Sequence, residues 1–122
     1  MIRNNAFDTE TVAGNIVVIG FDDETYLEFP TLDQILTKLT KNPNKTRYFT
    51  YNIRFDVDGI FKMLPFENIA ELMDEKDTVY GKWKLHYLGA NNVVIHDISN
   101  GGPAVKIWDL AQFYKYLKLG AA

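Results

Sequence analysis

Two acidic side chains near the start of the sequence have a spacing that suits metal chemistry. Asp8 and Glu10 stand two residues apart in the segment FDTET, residues 7–11. On a β-strand this spacing puts both carboxylates on one side of the sheet, where they repel each other unless a cation or water separates them. A hard ion such as Mg²⁺ takes oxygen ligands and keeps several waters, so a few carboxylates suffice. The spacing alone still favours two solvated acids on an edge strand.

A second polar group stands in the segment NIRFD, residues 52–56. Asn52 and Asp56 lie one helical turn apart, where a predicted strand passes into a predicted helix. Ligands of open α/β sheets gather at the carboxyl ends of the strands, so this is a place where chemistry is expected. The alternatives are ordinary ones: Asp56 as a solvated acid favoured by the helix dipole, and Asn52 as a capping side chain.

The elements that must position these residues follow from periodicity. Residues 5–11 form a first strand, and the β-branched run at 15–21 pairs with 25–29 as a hairpin, which together predict an antiparallel meander. Thr31 and Gln34 make a capping box that begins a helix ending at 42–44. The remaining predicted elements are a strand at 47–51, helices after residue 56 and at 67–74, strands at 83–88, 93–98 and 105–108, and a helix at 111–119. This order predicts an α/β or α+β domain, a mixed sheet with helices packed on it.

Composition limits the class of protein. The 122 residues are 47% hydrophobic and suit one domain, and the absence of cysteine excludes disulfides, thiolate metal sites and cysteine nucleophiles. A net charge of −3 argues against binding duplex DNA mainly through phosphate electrostatics, although a local nucleic-acid contact is compatible with it. No stretch has the apolar length of a leader or a membrane span, so we expect a cytosolic protein.

Taken together, the two polar segments resemble the first and second exonuclease motifs of the proofreading domain in family B DNA polymerases, particularly the protein-primed branch. The match is Asp-x-Glu at Asp8 and Glu10, and Asn-x-x-Phe-Asp at Asn52, Phe55 and Asp56. The strings FDTET and YNIRFDVDGIFKML are separated by a hairpin, a helix and a strand of about the expected length. The later KIWDL, residues 106–110, looks like a strand that this family carries before its last exonuclease helices. The resemblance spans residues 1–122 as a single domain and implies a ribonuclease-H-like fold of the DEDD exonuclease group.

The resemblance implies two-metal hydrolysis of a phosphodiester at the 3′ end of single-stranded DNA, with two Mg²⁺ or Mn²⁺ ions. Asp8 would bridge the ions, and Glu10 and Asp56 would be further ligands. Asp109 is either another ligand or an acid that caps the last helix, and both interpretations stay open. The residues that look like contacts to the 3′ end are Thr11, Asn52, Arg54 and Phe55. A polymerase module in the same parent chain is the implied partner.

One part of the family pattern is missing. The family needs a third motif, a Tyr or His followed by Asp, and none of the seven tyrosines here has Asp four residues later. Neither His86 nor His96 has Asp five residues later. We therefore expect weak or absent activity with Mg²⁺ unless Asp109 or another chain substitutes, and we interpret the chain as a fragment or a shortened relative of an exonuclease domain. The alternatives are a catalytically silent single-strand-binding or scaffolding module, and an unrelated α/β protein with solvated acids.

Two further patterns have competing interpretations. The span from Gln34 to Phe55 contains no acid but several cations, which form either a cationic rim for a nucleic-acid backbone or a solvated helix face with a basic loop. Aromatic residues in the predicted strands and helices, including Tyr48, Phe49 and Trp108, fit a core better than a stacking platform.

Overall fold

The computed structural model describes residues 3–41, 46–50, 53–87, 92–99 and 105–109. Within these ranges the strands and helices are, in chain order, β1 (Arg3–Val12), β2 (Asn15–Phe21), β3 (Tyr26–Glu28), α1 (Leu32–Leu39), β4 (Thr46–Thr50), α2 (Ile53–Phe61), α3 (Phe66–Glu75), β5 (Asp77–Tyr80), β6 (Trp83–Tyr87), β7 (Asn92–Asp97) and β8 (Val105–Asp109). The predicted helix at 111–119 lies outside the described residues. None of the described helices is long and apolar enough to cross a membrane.

All the described strands join one mixed sheet in the order β3-β2-β1-β4-β8-β7-β6-β5. The first three strands form an antiparallel meander, and β4 and β8 run parallel to β1 and to each other. Strands β5 to β8 pair antiparallel. This arrangement confirms the predicted α/β class, with an antiparallel meander followed by a parallel strand.

A β-bulge decides which side chains of β2 are buried. The register places Glu10 opposite Val18 but Thr11 opposite Ile16, so β2 carries one extra residue at this point. Such a bulge breaks strict alternation. Ile16 and Ile19 are therefore both buried, although three positions separate them, while Val17 and Val18 between them are only half-buried. The bulge thus turns both Ile16 and Ile19 of β2 to the buried face of the meander.

The described helices all contact this buried face, which we call the helix face. Thr40, at the end of α1, accepts a hydrogen bond from Trp83 Nε1 on β6 at 3.2 Å. On α2, a Cβ built on Gly59 would lie 3.3 Å from the side chain of Ile16. On α3, Asn68 Nδ2 donates to a threonine hydroxyl of β5 at 2.9 Å. The sheet residues in these contacts share one face in the strand register.

The opposite side of the sheet is named here the second face. Side chains that stand opposite one another in paired strands share a face, so the register assigns its members. They are Ala6, Asp8, Glu10, Val18 and Gly20 on β1 and β2, Phe49 on β4, Lys106 and Trp108 on β8, Val94 and His96 on β7, and Lys84 and His86 on β6.

Local predictions for α1 are confirmed in detail. Its capping box is present in both directions: Gln34 N–H donates to Thr31 Oγ1 at 3.1 Å, and Thr31 N–H donates to Gln34 Oε1 at 2.9 Å. The helix buries the apolar residues whose spacing predicted it, Leu32, Ile35, Leu36 and Leu39.

Two sequence predictions are wrong. The predicted order has no strand between the helix at 67–74 and the strand at 83–88, yet residues 77–80 form β5. The helix ends because Lys76 adopts a left-handed conformation with φ of 66°, which lysine rarely signals. Phe49 and Trp108 are also not core residues. They alternate with the buried Tyr48 and Ile107, and they lie half-buried on the second face.

Candidate active site at the edge of the sheet

Asp8 and Glu10 lie side by side on the second face. Both side chains are exposed, whereas Phe7 and Thr9, which alternate with them, are 4% and 6% exposed on the helix face. Successive side chains of a strand point to opposite sides of the sheet. Burial of Phe7 and Thr9 on the helix face therefore turns Asp8 and Glu10 to the other side. The two carboxylates therefore share one side of the sheet, as their spacing predicts.

The strand register places Asp8 at the end of the sheet where β4 ends, which is the carboxyl end of the parallel strands. Pairing of β1 with β4 runs from Arg3 opposite Thr46 to Ala6 opposite Phe49. Asp8 is thus two residues beyond the last paired position, while β4 itself ends at Thr50 and α2 begins at Ile53. Both segments therefore lie toward the carboxyl end of the parallel strands β1 and β4.

A shallow depression adjoins the Asp8 carboxylate. Asp8 stands opposite Gly20 on β2, and a Cβ built on Gly20 would have no atom within 4 Å. At this position lies a depression of about 330 Å³, which is lined by Ala6, Phe7, Asp8, Gly20, Phe21 and Asp22. Room for a hydrated ion or a phosphate oxygen therefore exists directly beside Asp8.

Asp22 is a second acid in this depression, and sequence reasoning missed it. Its backbone N–H donates to Ala6 O at 3.1 Å, which holds the end of β2 against β1. In the sequence Asp22 belongs to a polar turn, and only the antiparallel register of β1 and β2 brings it near Asp8. No local signal could have identified it.

The described carboxylates form a partial set of metal ligands. Asp8 Oδ1 accepts a hydrogen bond from Thr9 N–H at 3.0 Å, which orients the carboxylate. Among the described residues, no three His, Cys, Asp or Glu side chains lie close enough to hold a metal ion together. The chemistry of the pair suits Mg²⁺ or Mn²⁺, since such ions bind through one or two carboxylates and retain waters. The pair fits such an ion as part of a ligand set.

The structure describes Thr11 fully, some of the other predicted site residues only by their backbone, and Asn52 not at all. Thr11 is half-buried opposite Ile16, which places it on the helix face, away from the two carboxylates. Asn52 lies outside the described residues. Arg54, Phe55 and Asp56 belong to α2, of which the backbone is described, and Asp56 stands in the first helical turn. Asp109 ends β8 opposite Thr50, and its side chain also lies outside the described part.

A hydrogen bond from the sheet holds the helix that carries Asp56. Tyr87 OH, on β6, donates to Asp58 Oδ1 at 3.0 Å, and the Tyr87 ring contacts Phe61 edge-on with centroids 5.5 Å apart. Burial, together with the neighbouring Asp58 carboxylate, raises the pKa of Tyr87 well above its usual value. These contacts fix α2 within one turn of Asp56.

Lys38 of α1 is engaged in local contacts. Lys38 Nζ pairs with Asp23 Oδ2 at 3.1 Å and lies 5.1 Å from the centroid of the Phe21 ring. Hydrogen bonds from Thr25 and then from Lys38 lower the pKa of Asp23 to about 2. This pairing suits the interpretation of the α1 cations as a solvated helix face.

Comparison of the chain with protein-family models, with curated proteins and with solved structures finds no match. The functional interpretation therefore depends on the two motifs, the strand order and the geometry of this edge.

Proposed function

We propose that the chain is the 3′–5′ exonuclease part of a family B-like DNA polymerase, which hydrolyses single-stranded DNA ends with divalent metal ions. One observation carries the proposal. Asp8 and Glu10 are exposed on one face two and four residues past the end of the β1–β4 pairing, at the end of the sheet where β4 is followed by α2. Both motifs that make the sequence resemble this family thus lie toward the same end of the sheet, which supports the proposal.

The strand order also supports the proposal. The series β3-β2-β1-β4-β8 begins with an antiparallel meander and continues with two parallel strands. A ribonuclease-H-like fold implies such a mixed sheet. In this chain the sheet continues beyond β8 with the antiparallel strands β7, β6 and β5. In such sheets the carboxyl ends of the parallel strands are where ligands gather.

The acidic residues have a common role in the proposed reaction. Asp8 and Glu10, with Asp56 as a further candidate, would hold two Mg²⁺ or Mn²⁺ ions. Asp109 stands opposite the buried Thr50, a helix-face register position, and is the weaker candidate. Such ions supply an activated water and stabilise charge on the scissile phosphate and the leaving 3′ oxygen. The depression beside Gly20 admits the phosphate, and a duplex end must fray to reach it.

The residues proposed to contact the single-stranded 3′ end are Asn52, Arg54 and Phe55. Thr11 lies on the helix face, away from the two carboxylates, and is not retained as a contact. We infer a cytosolic location, where such a substrate is found, and a polymerase module as the partner in the parent protein.

A second candidate function is a single-strand-binding module without hydrolysis. It is favoured by the absence of any tyrosine with Asp four residues later in the sequence. With fewer carboxylates, the site attracts cations less strongly and orients water less well. Binding would then remain while cleavage is lost.

The test is cleavage of a 5′-labelled single-stranded oligonucleotide with Mg²⁺ and then Mn²⁺. We expect a ladder that shortens from the 3′ end and is lost in the variant Asp8→Asn/Glu10→Gln. Glu28→Gln is the matched control, because Glu28 is an exposed carboxylate opposite Val18 in the same meander. Equal cleavage by the double variant would refute the site, and binding without cleavage would favour the second candidate.

A further inference from the structure

Strands β6, β7 and β8 carry basic and aromatic side chains on the second face. Lys84 stands directly opposite His96, and His86 stands opposite Val94, which in turn pairs with Lys106. Trp108 follows two residues after Lys106, and Lys106 Nζ lies 5.9 Å from the centroid of its indole ring. These five residues, Lys84, His86, His96, Lys106 and Trp108, are named here the basic strip.

Charge on the second face is separated by sign. Acidic side chains lie at the β1 end, where Asp8 and Glu10 are exposed, and the exposed lysines of the basic strip lie at the β6–β8 end. The described acid that faces the strip is Asp77 of β5, opposite His86. With a strand spacing of about 4.8 Å, the basic strip begins on β8, about 10 Å from β1, and extends to β6, about 19 Å from β1.

Aromatic rings occupy the space between the two ends. Phe49 of β4 and Trp108 of β8 are opposite each other in the parallel register, and both are half-buried. The Nε1 atom of Trp108 is shielded from solvent and has no hydrogen-bond partner in the described part of the chain. A ligand on this face would therefore meet the indole ring rather than its N–H group.

We propose that the basic strip binds the phosphate backbone of single-stranded nucleic acid. Lysine ammonium groups attract phosphates, and bases stack on exposed aromatic rings without regard to sequence. Charge complementarity selects a polyanion, and the closeness of Lys106 to Trp108 allows one phosphate and one base to be held together. The inference depends on the proposed function for its ligand, the strand whose 3′ end reaches Asp8 and Glu10.

Acidic side chains elsewhere on the described surface should confine nucleic-acid binding to the basic strip. Helix α3, on the helix face, exposes four acids and would repel the same strand. They are Glu67, Glu71, Asp74 and Glu75. With a net charge of −3 for the whole chain, attraction of a polyanion must come from a confined patch. The basic strip is such a patch, and it lies on the same face as the candidate active site.

The test is fluorescence anisotropy of a labelled oligothymidylate in EDTA, over a range of salt concentrations. The variant Lys84→Gln/Lys106→Gln removes two phosphate contacts, so the slope of log K against log salt should become shallower by about 1.4. Between 1 M and 0.1 M salt, the affinity of the original protein should therefore rise about 25-fold more than the affinity of the variant. The control Lys41→Gln/Lys76→Gln removes two exposed lysines outside the basic strip and should leave the slope unchanged.

Tryptophan fluorescence gives a second readout. Trp83 is 4% exposed on the helix face, so quenching on binding should come from Trp108 and disappear in Trp108→Leu. Equal loss of affinity in both lysine pairs would overturn the proposal, as would equally tight binding of polyglutamate without quenching. EDTA prevents hydrolysis, so a failed nuclease assay leaves this test intact. Nuclease activity with no effect of the Lys84 and Lys106 changes would overturn this inference alone.

Discussion

Substituting alanine for Gly59 tests which face of the sheet the helices cover. In α2, the new methyl group would lie 3.3 Å from Cγ1 and Cδ1 of Ile16, closer than ordinary van der Waals contact. Ile16 faces α2 only because the β-bulge turns it to the helix face. Asp8 and Glu10 lie on the opposite, second face, because Phe7 and Thr9 between and beside them are buried on the helix face.

Two opposing effects set the magnitude. Alanine is better than glycine inside a helix by about 1 kcal/mol. Overpacking a filled core costs about 1–3 kcal/mol. We expect Gly59→Ala to lower the free energy of unfolding by about 1 kcal/mol, since Ile16 is buried and has little room to move.

A double-mutant cycle isolates the contact. Ile16→Val removes Cδ1 and by itself costs about 1 kcal/mol. The Cγ1 contact remains, so only part of the overpacking is relieved, and the rest offsets the helical gain of alanine. Gly59→Ala should then be about neutral, which gives a coupling of about 1 kcal/mol. The measurement is urea unfolding followed by circular dichroism.

Gly20→Ala is the control for the cycle. Its new methyl group would meet no atom within 4 Å, and alanine in a strand gains about 0.5–1 kcal/mol over glycine whatever occupies position 16. If Gly59→Ala instead stabilised both the original protein and the Ile16→Val variant by about 1 kcal/mol, the assignment of the helix face would be wrong.

Three further predictions concern stability and its pH dependence. Thr40→Val removes the acceptor of the buried Trp83 N–H and should cost about 1–3 kcal/mol in urea unfolding, while an unchanged midpoint would contradict the bond. Because the pKa of Tyr87 is raised, its contribution is complete below pH of about 10 and is lost as pH rises further. An absorbance titration of Tyr87→Phe should show one late-ionising tyrosine fewer than the original protein, while Tyr48 and Tyr80, whose pKa values are also raised, remain. Identical late-ionising amplitudes would refute this. The lowered pKa of Asp23 gives a stabilising contribution that is complete above pH of about 4 and is lost as pH falls towards about 2. Asp23→Asn should flatten the acid dependence of the urea midpoint, and an unaltered profile would count against it.

Local signals in the sequence predicted the elements that depend on them. The capping box of Thr31 and Gln34 and the apolar spacing after it are properties of one helix, and α1 follows them. The strand Asn15–Phe21 is a run of β-branched and apolar residues ended by a polar turn, and β2 has these bounds. Period-two alternation was enough to put Asp8 and Glu10 on one side of β1.

Features that depend on pairing were beyond the sequence. The run NIVVIGF is apolar throughout, so no pattern in it shows that the bulge turns Ile16 and Ile19 to the same face. Strand β5 has only four residues directly after a helix, and its stability comes from pairing with β6. Residues 77–80 therefore carry little signal of their own.

In the candidate site, too, some residues have a local signal in the sequence and others depend on strand pairing. Asp8 and Glu10 could be identified from their types and spacing. Asp22 could not, because it reaches the depression only through the antiparallel partner of β1. The basic strip likewise depends on the order of strands β6, β7 and β8. Strand β8 pairs with β4 and so joins these strands to the rest of the sheet, and no local pattern in the sequence predicts this order.

The central claim is that Asp8 and Glu10 together hold a divalent metal ion. Titration of the protein with Mn²⁺, followed by the electron paramagnetic resonance signal of the free ion, measures this directly. We predict that Asp8→Asn and Glu10→Gln each weaken Mn²⁺ binding, while the control Glu28→Gln retains it. Equal Mn²⁺ binding by the original protein and by the Asp8→Asn/Glu10→Gln double variant would contradict the account.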